Sequence, residues 1–296
     1  MLAYYRLNAK RKKEQGFTLI ELSIVLVIIG LIVGGVLVGQ DLIRAAEIRA
    51  TISQIEKYNT AVNTFRGKFN AIPGDMNLVT ASTFGFASGG TRSATAGQGD
   101  GNGVLDGEGG TGSLLQAGGE TGVFWVDLSS SVAGNLIDGG FTVSTETGTP
   151  SATLTGTGAA AIGTYLPPAK LGRGAYIYVF EVGGLNYFGM SSPSGATPLA
   201  SGVLTTSAQL TVQQAYNIDK KVDDGVPTTG NVQVYYINGQ SANANATLVA
   251  SLSAPTSSGS VATTNCYDTS VTNGQYEVSA SNNGASALCA LDFKFQ

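Results

Sequence analysis

The chain has 296 residues, of which 12 % are charged, and its formal net charge at pH 7 is −4. Soluble globular chains carry about 25 % charged residues, so this composition disfavours a charged cytosolic enzyme. The acidic balance also disfavours a nucleic-acid binder. The absence of histidine excludes Ser-His-Asp and Cys-His catalysis and histidine metal sites. Two cysteines allow at most one internal disulfide and no four-cysteine zinc site.

The N-terminal region combines a basic leader with a long apolar run. Residues 1–16 contain five basic residues and one acidic residue, and residues 22–40 contain no charge at all. An uncharged segment of that length is long enough to cross a membrane as a helix, and the preceding basic residues keep the N-terminus cytoplasmic. A cleavable secretory signal is the alternative, but no Ala-x-Ala cleavage site follows the apolar run.

The sequence GFTLIE at residues 16–21, placed between the basic leader and the apolar run, resembles the class III signal of type IV prepilins and pseudopilins. The resemblance implies that a membrane prepilin peptidase cuts between Gly16 and Phe17 and methylates the new amine of Phe17. It also implies that Glu21 recruits the N-terminal amine of a neighbouring subunit during assembly. A carboxylate in lipid needs a cationic partner, and no Lys or Arg lies between Phe17 and Ile43. The alternative is that Glu21 only sits at the membrane interface.

The apolar helix is expected to continue beyond the membrane. Apolar residues recur at steps of three and four from Ile48 to Phe69, which predicts an amphipathic stripe lying on a globular head. Pro73 and Gly74 then end the helix. We therefore predict an α+β, pilin-like fold in which a long N-terminal helix, spanning the membrane with its first half, packs on a globular head with an antiparallel β-sheet. Its predicted parts are a removed leader (1–16), the helix (17–73, transmembrane at 22–40), a glycine-rich loop region (74–122) and the head (123–296).

Within the head the pattern predicts two further helices and several strands. Apolar spacing indicates a helix over 120–137. A second helix over 211–224 begins with a possible capping box of Thr211 and Gln214 and stops at Gly225. Runs rich in β-branched and aromatic residues predict antiparallel strands at 141–146, 175–182, 185–190, 231–237, 247–252, 276–280 and 288–295.

The glycine-rich stretch 85–122 is predicted to be a loop without a packed core of its own. It contains the sequence DGNGVLDGE. Oxygen side chains separated by glycines can surround calcium. The predicted ligands are Asp100, Asn102, Asp106 and Glu108. The spacing departs from an EF-hand, because Val104, Leu105 and Thr111 stand where a ligand, a glycine and the closing Glu belong. The alternative is an ordinary flexible turn.

A second acidic group, Asp219, Asp223 and Asp224, is expected to cap a helix and carry solvated charge, with a metal site as the less favoured alternative.

Cys266 and Cys289 enclose 22 residues near the C-terminus. An exported head reaches an oxidising compartment, so a disulfide is expected, and type IV pilins often carry a comparable C-terminal loop. Closing it stabilises the fold by roughly 3.4 kcal/mol in the chain-entropy description. Two buried free thiols are the alternative.

These observations favour a non-enzymatic structural subunit of a type IV pilus-like filament. The alternatives are a type II secretion pseudopilin and a minor adhesin-like subunit at the filament tip. A membrane-tethered enzyme is disfavoured because no Gly-x-Ser-x-Gly motif is present. A glycan-cleaving enzyme that uses two carboxylates distant in sequence is an alternative that spacing alone does not exclude.

The expected partners are the prepilin peptidase, other pilin subunits and an inner-membrane assembly platform; no nucleic acid and no cofactor other than calcium are expected. The expected location is a single-pass inner-membrane form followed by a periplasmic or cell-surface filament.

Overall fold

The structure is a computed structural model that describes residues 17–86, 99–106, 119–141, 162–195, 205–238, 247–250, 253–254, 266–268, 274–279 and 283–295. By its internal contacts the chain divides into two compact units, Met1–Ala46 and Glu47–Gln296. The architecture is mixed, with a long N-terminal apolar helix and antiparallel sheets, so the α+β prediction is confirmed. The predicted strand at 141–146 falls almost entirely outside the described residues.

Helix α1 runs from Leu19 to Phe69, a length of 51 residues. Within the first unit its aliphatic side chains have no cover: every Leu, Ile and Val from Leu19 to Val38 is at least 50 % exposed. Among the described residues, α1 is the one helix long and apolar enough to cross a membrane, with a mean hydropathy of 2.9 over its most apolar window.

From Glu47 onward α1 becomes amphipathic, as the spacing predicts. Its buried side chains recur at helical intervals and include Ile48, Ile55, Tyr58, Val62, Phe65 and Phe69. The ring of Tyr58 meets that of Trp125 edge-on at 4.9 Å, and Phe65 is completely buried. This stripe therefore forms part of the core of the second unit.

Two short helices follow α1. Helix α2 (Leu78–Phe84) begins at Asn77, whose side chain accepts the backbone N–H of Thr80. Helix α3 spans Gly119–Ser129, so the prediction of a helix as far as residue 137 was wrong at its C-terminal end. Residues 131–134 form a turn after the helix, and Gly134 and Asn135 adopt positive φ, a left-handed conformation that a helix continued to residue 137 could not contain.

Helix α4 (Val212–Val222) begins as predicted. The hydroxyl of Thr211 accepts the backbone N–H of Gln214, and the Gln214 side chain accepts the backbone N–H of Thr211. The capping box is thereby confirmed. Gly225, which follows the helix, has a φ of +76°, consistent with its predicted role as a stop.

The described strands form three sheets. The strands are β1 (Tyr176–Val182), β2 (Leu185–Gly195), β3 (Thr205–Ser207), β4 (Leu210–Thr211), β5 (Val232–Gln233), β6 (Tyr235–Asn238), β7 (Thr247–Ala250), β8 (Ser253–Ala254), β9 (Tyr267–Asp268), β10 (Gln275–Tyr276), β11 (Ala287–Cys289) and β12 (Leu291–Lys294). The largest sheet has the order β5-β12-β2-β3-β6-β7, with β1 also pairing β2; the others are β10-β9-β8 and β11-β4. All the pairings are antiparallel except that of β8 with β9.

Two predicted strands are altered in the fold. The stretch 231–237 splits into β5 and β6, because the backbone N–H of Val234 leaves the ladder to bond the carbonyl of Pro227 at 2.9 Å. The predicted strand at 276–280 is wrong beyond Tyr276: β10 ends there, and residues 278–279 form a turn.

A disulfide joins Cys266 to Cys289, whose Cα atoms lie 5.2 Å apart, and both cysteines are fully buried. It links the residue before β9 to the end of β11. The chain between them returns through β10, so the bridge ties the small three-stranded sheet to the strand that pairs β4.

The central hairpin β1–β2 packs closely enough to require a glycine. Gly189 lies opposite Tyr178 in the register, and a Cβ added to it would overlap the Tyr178 ring. The ring is fully buried, and its oxygen accepts the hydroxyl of Ser191 at 3.1 Å. The ring therefore has no space to move aside.

We predict that Gly189→Ala lowers the free energy of unfolding by about 1–3 kcal/mol, the cost of overpacking a filled core. Gly67→Ala is the matched control, because Gly67 lies inside α1 with nothing within 4 Å of its added Cβ. That change should stabilise the chain by up to about 1 kcal/mol through helix propensity. Urea unfolding of both variants measures the difference, and equal stabilities would contradict the packing described.

Candidate functional site

The N-terminal candidate site is a capped helix start. The carboxylate Oε2 of Glu21 accepts both the backbone N–H and the hydroxyl of Thr18 at 2.8 Å, while the Glu21 N–H donates to the Thr18 hydroxyl at 3.3 Å. This reciprocal pair is a capping box, which the sequence analysis missed although Thr-x-x-Glu is its signature. Phe17 is 86 % exposed, and Gly16 lies outside the described residues.

The second candidate site is the loop 99–106, which wraps around two buried carboxylates. Glu120, in the first turn of α3, accepts the backbone N–H of Gly99 through Oε1 at 2.8 Å and that of Asp106 through Oε2 at 2.9 Å. Asp75, which follows the end of α1, accepts the N–H groups of Gly101 and Gly103 at 2.8 Å each. Four backbone N–H groups of the loop thus find their acceptors on two side chains, so the two acids hold the loop.

The sheet holds the same loop from its other side. The side chain of Asn186, in β2, accepts the N–H of Leu105 at 2.8 Å and donates to the carbonyl of Gly103 at 3.0 Å. The side chain of Leu105 is completely buried in the common core. Residues 99–106 therefore form a loop that has no core of its own but contributes Leu105 to the common core.

The structure brings three of the predicted calcium ligands, Asp100, Asn102 and Asp106, into hydrogen-bonding contact, and it places two further acids beside Asp100. Carboxylate oxygens of Asp75, Asp100 and Glu120 all lie within 4.8 Å of one another. The side-chain nitrogen of Asn102 instead donates to Asp100 and Asp106 at 3.1 Å each. Glu108 lies outside the described residues. Sequence reasoning missed Asp75 and Glu120, although an acid after Pro73-Gly74 and one in a first helical turn were visible signals.

Burial dominates the electrostatics of this cluster. Desolvation, followed by the nearby Asp75 carboxylate, raises the pKa of Glu120 to about 8, against the opposing effect of the N–H groups of Asp106 and Gly99. Desolvation likewise raises the pKa of Asp75 to about 6, although the backbone N–H groups of Gly103 and Gly101 lower it. Both groups therefore bind protons more tightly in the folded chain than an exposed acid does.

The other acidic group organises the loop after α4. Asp219 accepts the Tyr276 hydroxyl at 2.8 Å, Asp223 accepts backbone N–H groups of residues 231 and 232, and Asp224 accepts the Val226 N–H at 2.8 Å. These oxygens also lie within 4.8 Å of one another. The hydrogen bonds favour the capping interpretation of the three acids over the metal site.

A family model described as the prokaryotic N-terminal methylation motif matches residues 11–37. The chain therefore carries a prepilin-type signal at its N-terminus, as its resemblance implies, and this motif supports a precursor of the type IV pilin or pseudopilin type. The motif and the apolar helix are consistent with membrane anchoring by a single N-terminal helix. No curated protein and no solved structure matches the chain.

The raised pKa values predict that the chain loses stability as pH rises. Because the folded acids keep their protons to higher pH than the unfolded ones, their contribution is complete below their ordinary pKa values, 3.8 for Asp and 4.5 for Glu. It is lost as pH passes through about 6 for Asp75 and about 8 for Glu120. Each group contributes a slope of up to about 1.4 kcal/mol per pH unit.

Urea unfolding in the presence of a calcium chelator, from about pH 5 to about pH 8, measures this slope. Glu120→Gln removes one titrating group and should flatten the fall above pH 6, whereas Glu56→Gln, at an exposed residue of α1, should leave it unchanged. Stability that rises across this range would contradict the assignment.

Proposed function

We propose that the chain is made as a single-pass inner-membrane prepilin and becomes a structural subunit of a type IV pilus-like filament. A prepilin peptidase cuts between Gly16 and Phe17 and methylates the Phe17 amine. The mature helix then leaves the lipid and packs against the helices of other copies. The observation that carries the proposal is a prepilin-type motif that runs directly into an uncovered apolar helix.

The energetics of that helix support assembly. Fifteen Leu, Ile and Val side chains between Leu19 and Val38 are at least half exposed. Covering one aliphatic side chain completely contributes about 1.5–3 kcal/mol, so this surface is costly in water. Lipid covers it before assembly, and the apolar helices of neighbouring subunits cover it in a filament.

Glu21 can accept hydrogen bonds within its own chain and still pair with the amine of a neighbouring subunit. The Thr18 bonds use Oε2, and an ionised carboxylate accepts up to about four hydrogen bonds. Among the described residues no Lys or Arg forms an ion pair with Glu21. The methylated amine of an incoming subunit supplies the positive charge that a carboxylate near lipid requires, and the capping box fixes the position of that carboxylate.

A type II secretion pseudopilin and a minor adhesin-like tip subunit share this signal and helix, and are the alternative functions. They differ from a pilus subunit in abundance and location: immunogold labelling along sheared surface filaments supports the pilus assignment, whereas labelling at one end supports the tip subunit. No catalytic activity is proposed, and the expected partners are the peptidase, other pilin subunits and the assembly platform.

Glu21→Ala and Glu21→Gln together test the assembly role. Gln keeps an oxygen that can accept the Thr18 bonds but removes the charge, so it separates helix capping from pairing with an amine. We expect both variants to insert and to be cleaved, because removing a charge eases insertion. Mass spectrometry should give N-methyl-Phe17 as their first residue, whereas Gly16→Val blocks the cut.

Both Glu21 variants should fail to form filaments in the sheared fraction. Normal filament numbers from Glu21→Gln with none from Glu21→Ala would assign Glu21 to capping alone. A mature chain that begins beyond Gln40 would instead indicate an ordinary signal peptide and overturn the proposal.

We further propose that the loop 99–106 binds calcium weakly. The supporting observation is the convergence of carboxylate oxygens from Asp75, Asp100 and Glu120, which no Lys or Arg of the described residues neutralises. Calcium prefers such oxygens, and extracellular modules bind it with dissociation constants of about 10⁻⁴–10⁻³ M. Asn102 takes no part in this revised ligand set.

Calcium should raise the melting temperature of the purified chain. With a dissociation constant of about 1 mM, about 10 mM calcium adds about 1.4 kcal/mol to the free energy of unfolding. Asp100→Asn should abolish the gain, while Asp224→Asn in the other acidic group should retain it. Equal melting temperatures with calcium and with chelator would leave the loop held by hydrogen bonds alone.

A further inference from the structure

The second unit contains a cavity that neither the filament role nor the acidic loop uses. Its volume is about 550 Å³, within the range of about 300–1,000 Å³ that is typical of small-molecule sites. One wall is the face of α1 from Ala50 to Tyr58, and the other is formed by parts of 138–141 and 163–170. We call this cavity the α1 cleft.

The buried side chain of Gln54 fixes the shape of the α1 cleft. Its amide nitrogen donates to the Tyr58 hydroxyl at 2.8 Å and to the Pro168 carbonyl at 2.9 Å. Its amide oxygen accepts the backbone N–H of Lys170 at 2.8 Å. These bonds join the two walls, so the cleft exists before a ligand arrives and binding does not have to order it.

The backbone of the second wall is already hydrogen-bonded. The carbonyl of Pro167 accepts the Ile177 N–H at 3.0 Å, and the Pro168 carbonyl and the Lys170 N–H both bond Gln54. The two prolines have no N–H to offer, and no lining residue belongs to one of the described strands. Extended peptides bind through main-chain hydrogen bonds to a strand edge, so the cleft does not suit a peptide.

The side chains that line the α1 cleft offer both donors and an acceptor. Asp138 pairs with Lys57, and the hydrogen bond and charge of Lys57, with a smaller effect of Lys170, hold the pKa of Asp138 below its usual value. Lys170 itself forms no ion pair with a described residue. The Tyr58 hydroxyl accepts Gln54 and donates to no acceptor among the described residues. The cleft therefore has one positive charge in excess.

We propose that the α1 cleft binds a saccharide that carries a carboxylate. Hydroxyl groups both donate and accept hydrogen bonds, so a sugar can bond the Asp138 carboxylate and the Tyr58 hydroxyl together. The carboxylate of the ligand pairs with Lys170, and the C–H groups of its ring contact the apolar surfaces of Phe141 and Pro167. This inference is independent of the filament role, because every lining residue belongs to the second unit.

Saturation-transfer difference NMR on the full-length chain tests the proposal, in a zwitterionic detergent that contains no sugar. The probes are sodium glucuronate, glucose and sodium acetate, which separate an acidic saccharide from a neutral sugar and from a simple carboxylate. We expect glucuronate to bind at least about tenfold more tightly than glucose or acetate, because glucose lacks the charge-assisted bond and acetate lacks the hydroxyl contacts.

Two variants at exposed lining residues locate the binding. Lys170→Gln should weaken glucuronate binding about tenfold, the loss of one charge-assisted hydrogen bond, and leave glucose binding unchanged; Lys221→Gln, exposed in α4, is the matched control. Ser53→Trp places a bulky side chain in the cleft and should abolish binding of both sugars. Asn63→Trp, at an exposed residue of α1 outside the lining, should bind them normally.

Glucuronate that does not bind, or that binds equally to the wild-type chain and to Ser53→Trp, would overturn the proposal. Equal affinities for glucuronate and acetate would also overturn it, because the cleft would then be a simple anion site. Circular dichroism checks that the variants fold, and the comparison of the three probes on the wild-type chain decides the ligand class without them.

Discussion

The first half of α1 is an apolar surface that its own chain leaves uncovered. Every aliphatic side chain from Leu19 to Val38 is at least half exposed, and transfer of such surface to water is unfavourable in proportion to its area. The helix must therefore be covered by lipid or by other helices. The prepilin-type motif at residues 11–37 fits that requirement, because it marks precursors that pass from a membrane-anchored form into an assembly.

In the second unit, a glycine-rich segment with few apolar side chains is ordered by hydrogen bonds to its backbone. Buried backbone N–H groups need acceptors, and in the loop 99–106 they find the carboxylates of Asp75 and Glu120 rather than a sheet ladder. The desolvation of these acids raises their pKa values, and we therefore expect the free energy of unfolding to depend on pH.

Local patterns predicted the parts of the fold that depend on local contacts. The amphipathic half of α1 and the capping box of Thr211 and Gln214 follow from spacing alone. The end of α3 at Ser129 did not, because the apolar spacing continues through the turn at 131–134 and past the left-handed residues Gly134 and Asn135. The split between β5 and β6 depends on a bond from Val234 to Pro227, which the local pattern does not contain.

The candidate sites likewise divide into one that a local sequence pattern identifies and one that depends on contacts distant in sequence. Residues 16–21 were identified because the signal is contiguous, whereas the partners of the acidic loop come from three separate segments. Asp75, Glu120 and Asn186 reach that loop from the end of α1, the start of α3 and strand β2. No spacing rule connects them. Sequence therefore predicted that the loop is acidic, and only the fold identified which acids face one another.

Photo-crosslinking from the middle of the apolar helix tests the central claim most directly. A benzophenone amino acid replaces Ile28, which lies in the apolar part of α1 and is half exposed. Illumination of the sheared filament fraction should yield covalent dimers and higher oligomers of the chain, while the same residue in isolated membranes yields mainly lipid adducts. Filaments that contain the chain but give no chain-to-chain adducts from this position would contradict the account.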